Sequence, residues 1–263
     1  MRMPQIRVQK GDALAALKRL PSGRCHCIMT TPSTFGSVAY DGTAGIVIGA
    51  EETFEEHLEN LITIFAEARR VLRSDGVFFL HYGDYHDSDK ELQLYPARVA
   101  MALQEDAWLL RGEIPANSHE KVFVFTRSNK FYWNERAAAV SDKNRRIWLQ
   151  VDHKIERPHF AHCPEDLMET LFKMGVGIRG CCENCGAARY ILDEVWVSGC
   201  ACGLEDVPCR VLDPFYGSGT TAIVAAKLDL DCYGIEMNPK WIEIAEQNLE
   251  RKVGMMLVDY KKK

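Results

Sequence analysis

The stretch Arg210-Val211-Leu212-Asp213-Pro214-Phe215-Tyr216-Gly217-Ser218-Gly219-Thr220-Thr221 restricts the fold of this chain more than any other. Val211 and Leu212 read as a strand that runs into an acid, then a Phe-x-Gly-x-Gly turn, then a helix starting near Thr220. Gly217 and Gly219 carry no Cβ, so the backbone can turn tightly there and lie close against a ligand. The free N–H groups of the following helix point back at the same place. About twenty residues on, the short strand Cys232-Tyr233-Gly234-Ile235-Glu236 ends in a second acid, the spacing used to hydrogen-bond a ribose. Together these predict a nucleoside-binding βαβ unit.

The turn lacks the Gly-Lys-Ser/Thr ending of a phosphate-binding P-loop and has one residue fewer than a Gly-x-Gly-x-x-Gly turn. A nucleoside without phosphate, such as S-adenosylmethionine, suits it better. With 263 residues, 47% of them hydrophobic, the chain can bury one substantial core with a small inserted element. No run of eighteen apolar residues occurs, and Met1 to Gln5 lacks the shape of a signal peptide, so a soluble, cytoplasmic protein is expected. The net charge of −5 argues against a strong non-specific nucleic-acid binder, although a local basic face remains compatible with it.

Ile6 to Gln9 alternates as a strand, Ala13 to Leu20 reads as a short helix, and Cys25 to Thr30 as a buried strand. At the mouth of that strand lies Thr30-Thr31-Pro32-Ser33-Thr34-Phe35-Gly36, followed by a glycine-rich loop through Gly49. Ligand chemistry in open α/β sheets gathers outside the carboxyl ends of strands, which makes this loop the second half of the site. From Glu51 to Leu72, Phe54, Leu58, Leu61, Ile62, Phe65, Ala68, Val71 and Leu72 share one helical face and are expected in the core. Ser74-Asp75-Gly76 is read as a turn into the strand Val77 to Tyr82. A helix (Tyr95 to Glu105), two strands (Trp108 to Glu113, Lys121 to Thr126) and a helix (Asp166 to Met174) follow. Asn238-Pro239 opens the last helix, with Trp241, Ile244, Ala245 and Leu249 on its buried face. The basic run Lys143 to Trp148 either touches phosphates or is a solvated charge run.

The ten cysteines sit in clusters, which points to metal binding rather than to a disulfide scaffold. Cys182-x-x-Cys185 and Cys200-x-Cys202 can meet around one tetrahedral Zn²⁺; the bland alternative is four free cysteines. Cys181 and Cys209 are left over, with Cys181 a decoy ligand beside the knuckle.

Asp213 to Thr221, followed by Gly234-Ile235-Glu236-Met237-Asn238-Pro239, resembles the cofactor half of the amino-type DNA methyltransferases. These methylate the exocyclic amine of cytosine (N4) or adenine (N6). The resemblance covers nearly the whole chain, with the catalytic half preceding the S-adenosylmethionine half, an order similar to the beta class. Gly11-Asp12, residues 51–76 and 102–111, Asn117-Ser118-His119-Glu120 and His159-Phe160-Ala161 are similar to further landmarks, and the Cys182 to Cys202 insert to a zinc knuckle of some members. The resemblance implies a Rossmann-like α/β fold: a mostly parallel twisted sheet with helices on both faces, in permuted order. It divides the chain into a catalytic half (1–180) with a target-recognition segment around 127–158, a knuckle insert (181–209) and a cofactor half (210–263). It implies cofactor contacts from Asp12, Thr30, Phe160, Asp213, Pro214, Phe215, Gly217, Ser218, Gly219, Thr220, Thr221, Glu236 and Asn238, with the ribose on Glu236 and the adenine near Asp12. DNA with its target base flipped out is the implied partner, and a homodimer is a further expectation.

The family places Ser-Pro-Pro-Tyr (cytosine enzymes) or Asp/Asn-Pro-Pro-Tyr/Phe (adenine enzymes) at the strand mouth, where this chain has Thr31-Pro32-Ser33-Thr34 and then Phe35. An exocyclic amine is a poor nucleophile because its lone pair is delocalised into the ring. The first side chain and the proline carbonyl accept hydrogen bonds from it, and the aromatic residue stacks on the flipped base, worth roughly 1–3 kcal/mol. Thr31 and Pro32 keep the two acceptors. Ser33 loses the rigidity of the second proline, and Thr34 cannot stack, which leaves Phe35 as the aromatic that could swing in. The hydroxyl at Thr31 resembles the serine of the cytosine enzymes, so cytosine N4 is the expected target. Adenine N6, another nucleic-acid target, and a non-catalytic binding relative stay as alternatives. Between Glu113 and Asn117 the family's Trp-x-Lys-Pro-Asn loop is replaced by Ile114-Pro115-Ala116.

Overall fold

The computed structural model describes residues 2–37, 47–84, 91–116, 119–134, 163–192 and 195–257. Phe160 and its neighbours, the basic run Lys143 to Trp148, most of the segment expected to read the target, and residues 38–46 lie outside the described residues.

In chain order the strands are β1 (Ile6–Lys10), β2 (Cys25–Thr30), β3 (Leu72–Gly83), β4 (Leu109–Pro115), β5 (Glu120–Thr126), β6 (Cys181–Cys182), β7 (Tyr190–Leu192), β8 (Val195–Val197), β9 (Asp206–Val207), β10 (Arg210–Asp213) and β11 (Asp231–Glu236). Seven of them form one sheet in the order β1-β11-β10-β2-β3-β5-β4. β1, β11, β10, β2 and β3 run parallel, and β5 is antiparallel to both β3 and β4. All six residues of β2 are buried, as a strand covered on both faces requires. The helices α1 (Ala13–Arg19), α2 (Phe54–Val71) and α3 (Tyr95–Glu105) pack on one face. On the other face lie α4 (Glu165–Gly175), α5 (Thr220–Lys227) and α6 (Pro239–Val253). No described helix is long and apolar enough to cross a membrane.

Helix α2 shows how local chemistry sets these elements. Thr53 caps it, its Oγ1 accepting from Glu56 N at 3.2 Å, and Glu55 and Glu56 complement the amino end of the dipole. At the other end Arg127 Nη1 donates to the carbonyls of Arg69 and Leu72, which the helix leaves unpaired. The buried face is Phe54, His57, Leu61, Ile64, Phe65, Ala68 and Val71, each apolar member adding roughly 1.5–3 kcal/mol. Relative to the expected face, Ile64 replaces Ile62, and Leu58 and Ile62 are only half-buried. Likewise, Ile244 of α6 is 39% exposed and Trp241 half-buried, so Ala245 and Leu249 alone anchor that helix fully.

Ser74-Asp75-Gly76 is not a turn between elements. β3 runs from Leu72, and the three residues form an outward excursion where the register jumps from Cys25↔Leu72 to Cys27↔Val77. A bulge tolerates turn-type residues without ending a strand. Gly76 is required because a Cβ there would lie 2.8 Å from His26 O.

Gly234, in β11, meets a similar limit: a Cβ would reach 2.5 Å from Cγ of Tyr216, whose ring is 3% exposed. Gly234→Ala is expected to destabilise the protein by about 1–3 kcal/mol through overpacking. An unchanged urea midpoint would show that the Tyr216 ring can yield.

Candidate active site

β10 and β2 lie side by side, with Val211 opposite Cys27 and Leu212 opposite Ile28. The chain leaves them in opposite directions, through α5 to β11 on one side and through α2 to β3 on the other. That divergence opens a crevice at their carboxyl ends, the place where open α/β sheets bind ligands.

On one wall stands the glycine turn. Gly217 and Gly219 adopt φ of +51° and +84°, the left-handed region that favours glycine, and Gly219 caps α5. A Cβ on Gly217 would meet nothing nearer than Phe215 O at 4.0 Å, so the turn is open on that side. Glu236 accepts from Gly217 N and Asn238 N, both at 2.8 Å, tying the turn after β10 to the turn after β11. Burial raises its pKa against those hydrogen bonds. A carboxylate has about four lone-pair positions, so the amides of Gly217, Asn238 and Met237 still leave acceptor capacity for a ribose. Asn238 itself caps α6, accepting from Lys240 N at 3.0 Å. Gly11 N donates to Glu236 O at 2.9 Å, which brings Asp12 beside the same acid. Asp12 Oδ1 caps α1 by accepting from Ala15 N at 2.7 Å, while Oδ2 is buried without a partner. An orphaned acceptor beside an open glycine cradle fits an adenosine with amine and hydroxyl donors.

Asp213 faces inward. It is 3% exposed and accepts from Thr30 Oγ1 and Thr221 Oγ1, each at 2.6 Å, and from Phe215 N at 3.1 Å. Asp213, Thr30 and Thr221 therefore position the two walls through one another.

The opposite wall is Thr31 to Phe35. Thr31 Oγ1 lies 3.2 Å from His81 Nδ1, and His81 Nε2 lies 3.4 Å from Glu120 Oε2. His81 is fully buried at the end of β3, and Glu120 begins β5 opposite Gly83. Pro32 is buried. The Phe35 ring is held edge-on between Phe54, Tyr95 and His57 at 5.8, 5.8 and 5.9 Å, so it packs against α2 and α3 rather than standing free for a base. Beneath it His57 bridges Glu51 (Nδ1 to Oε2, 2.8 Å) and Tyr82 (Nε2 to Oη, 2.6 Å). Burial pushes the Glu51 pKa up, but the hydrogen bond and charge of His57, together with hydrogen bonds from its own backbone and Asn60, outweigh it and the carboxyl ends below its usual range.

The family model described as DNA methylase matches residues 208–247, the glycine turn and Glu236 strand included. The type II methyltransferase M.Cfr9I of Citrobacter freundii is 30% identical over 92% of this chain and 86% of the relative. M.SmaI of Serratia marcescens is 28% identical over 92% and 90%. The chain belongs to the DNA amino-methyltransferase family. Among solved structures, TTHA0409 of Thermus thermophilus complexed with S-adenosyl-L-methionine has the same fold, with a TM-score of 0.66 at 18% identity over 97% and 99% of the two chains. PvuII DNA methyltransferase, which is cytosine-N4-specific, has a TM-score of 0.63 at 15% identity over 93% and 88%.

The methyltransferase is thus an S-adenosylmethionine-dependent enzyme acting on DNA amines, and the glycine turn and the Thr31 to Phe35 segment lie at the carboxyl ends of adjacent strands. His81, Glu120, His57 and Glu51 are additions. Their signal in the sequence is faint: His81 is a titratable residue at the end of an apolar strand run, and His57 falls on the core face of α2.

The cysteine insert lies at the far end of the sheet. Cys182, Cys185, Cys200 and Cys202 have their sulfurs within 4.8 Å of one another, a set that could hold a metal. Cys181 does not join them; it pairs across β6–β9 with Val207 and turns toward Cys209 and His26. His26 Nδ1 accepts from Arg210 N at 3.0 Å and its Nε2 donates to Gly186 O at 2.9 Å, so neither ring nitrogen is left for an ion.

Asp213 also generates a pH prediction. Burial, then the charge of Glu236, pushes its carboxyl from 3.8 up to about 6, against the hydrogen bonds from Thr221, Thr30 and Phe215 N. The folded state therefore prefers the protonated form. Stability from this group is complete below about pH 4 and is lost as pH rises through about 6. Relative to Asp213→Asn, which stays neutral, the wild type is expected to lose on the order of 3 kcal/mol between pH 4 and 7 in urea unfolding. Parallel pH profiles for the two proteins would contradict the assignment.

Proposed function

We propose that the methyltransferase transfers its methyl group to cytosine N4, with Thr31 accepting a hydrogen bond from the target amine and His81 positioning Thr31. The contact of Thr31 Oγ1 with His81 Nδ1 at 3.2 Å carries this reading. Glu120 Oε2 lies near Nε2 without a hydrogen bond between them, and its negative charge favours the tautomer with hydrogen on Nε2. Nδ1 is then an acceptor, the Thr31 hydroxyl donates to it, and the Thr31 oxygen offers its lone pairs to the amine. When bound, S-adenosylmethionine supplies a methyl group on a positively charged sulfur. Methylation would leave the amine positively charged and acidic. Its proton passes to Thr31 Oγ1 while the hydroxyl proton moves to His81 Nδ1. A neutral hydroxyl at this position, in place of a carboxylate, favours cytosine, and the fold shared with a cytosine-N4-specific enzyme supports the same choice. The segment around 127–158 is our candidate for target recognition, its Lys143, Arg145 and Arg146 suited to phosphates.

The test is to incubate the protein with labelled cofactor and mixed-sequence DNA, digest, and identify the methylated nucleoside by mass. N4-methylcytosine is expected, N6-methyladenine would overturn the base assignment, and cofactor binding without transfer would favour a non-catalytic role. Thr31→Ala is expected to lower turnover by about 10²-fold with cofactor affinity unchanged, and Thr31→Ser to keep most activity. Equal rates for Thr31→Ala and wild type would remove Thr31 from the reaction.

We further infer that Cys182, Cys185, Cys200 and Cys202 hold one structural Zn²⁺. Their mutual spacing suits four thiolates at about 2.3 Å from a tetrahedral ion. Cys182→Ser is expected to lose about one equivalent of zinc by metal analysis. Equal metal content would refute the site.

A further inference from the structure

The amino ends of β1, β11, β10 and β2 border a half-open cavity of about 270 Å³, flanked by the residues that follow α1 and end α2. Four arginines line it, Arg2, Arg7, Arg24 and Arg210, against a single carboxylate, Asp231. That carboxylate is already neutralised, since both Arg2 guanidinium nitrogens donate to it and Gln5 N donates at 2.9 Å. Among the described residues, Arg7 meets only the neutral side-chain oxygen of Gln5. Among the described residues, no acceptor is found for the guanidinium of Arg24 or Arg210. Burial, then the charge of Arg24, holds Arg210 below its usual pKa, although Cys181 and Asp231 pull the other way. The cavity is thus short of negative charge.

We propose that this cavity binds a small phosphate-bearing anion through Arg24 and Arg210, with Arg7 in support. Guanidinium groups match phosphate oxygens in bidentate geometry, and Arg210, half-buried and without an acceptor among the described residues, gains most from an anion that the exposed Arg24 would share. The volume falls below the usual range for drug-sized ligands and suits one or two phosphoryl groups. Part of the wall is apolar (Val71, Val211, Leu212), and Asp231, the one carboxylate of the lining, is already held by Arg2. Arg24 and Thr31 bracket the six residues of β2, a separation of about 23 Å at strand rise, so the occupant competes with neither cofactor nor target base. It would join β2 to β10 at their amino ends.

The experiment is calorimetric titration of the full chain with inorganic phosphate, pyrophosphate and a short single-stranded oligonucleotide, paired with thermal unfolding. Saturable one-to-one binding of pyrophosphate that raises the unfolding temperature is expected. Arg24→Gln and Arg210→Gln are each expected to weaken it about tenfold or more, with S-adenosylmethionine affinity unchanged. Should Arg210→Gln fail to fold, Arg24→Gln, whose side chain is exposed, decides alone. Absence of pyrophosphate binding, or wild-type affinity in Arg24→Gln, overturns the proposal. Displacement of pyrophosphate by the oligonucleotide overturns it too, by making the arginines a nucleic-acid surface.

Discussion

The Asp213 carboxylate holds together two walls that the chain builds far apart. Thr30, which ends the strand of the acceptor wall, is 183 residues from Asp213 in sequence, yet its hydroxyl donates to that carboxylate at 2.6 Å. Thr221 and Phe215 N complete the coordination from the first turn of α5 and from the glycine turn. Backbone pairing between β10 and β2 spans only two residue pairs, so the side-chain clamp carries much of the alignment. Methyl transfer needs donor and amine in line, and a displacement of about 1 Å can cost 10²-fold in rate. A buried acid with three donors is a rigid way to fix that alignment, and its raised pKa is the consequence of putting it where water cannot reach.

What could be read from the sequence was local. The glycine turn, the acid at the end of β11 and the cap of α6 each rest on neighbours within a few residues, and each stands where its spacing implied. The hydrophobic stripes gave element types but not rotation: Ile64 faces the core of α2 where Ile62 was expected, because helix phase is decided by the sheet beneath. Ser74-Asp75-Gly76 carries turn chemistry, yet pairing with β2 on either side keeps it inside a strand as a bulge. His81 and Glu120 meet only because β3 and β5 are antiparallel neighbours, a pairing that no local pattern announces.

The sheet separates its tasks by strand direction. Carboxyl ends carry the crevice, while amino ends carry the cysteine insert and the arginine-lined cavity. The insert is fastened by side chains of β3 and β2, with Arg73 Nη1 donating to Cys185 O at 2.8 Å and His26 Nε2 to Gly186 O at 2.9 Å. Gly186, at φ +70° and packed against Arg73, permits that approach. From His26 to Thr31 the strand advances about 16 Å, which makes the insert a brace for the amino ends rather than a partner in the crevice.

The altered mouth motif is better understood from its support than from its letters. Losing the second proline to Ser33 frees a backbone torsion, but the loop is bound from below. Ser37 donates through N and Oγ to Thr34 O, at 3.1 and 2.6 Å. A Cβ on Gly49 would approach Ser33 Cβ and Thr34 O to 2.8 Å, so the returning end of the loop lies against both residues. Gly49 N in turn donates to Glu51, which His57 and Tyr82 lock into the buried side of α2 and β3. Phe35, packed on Phe54 and Tyr95, pins the far end of the same segment. Tertiary hydrogen bonds and an aromatic wedge thus take over the stiffening that a Pro-Pro pair supplies within the chain itself. Thr31 is β-branched, which restricts its own χ1 and helps keep the hydroxyl on His81. On the proposed mechanism the rigidity that matters is that of one oxygen, and the surrounding structure supplies it.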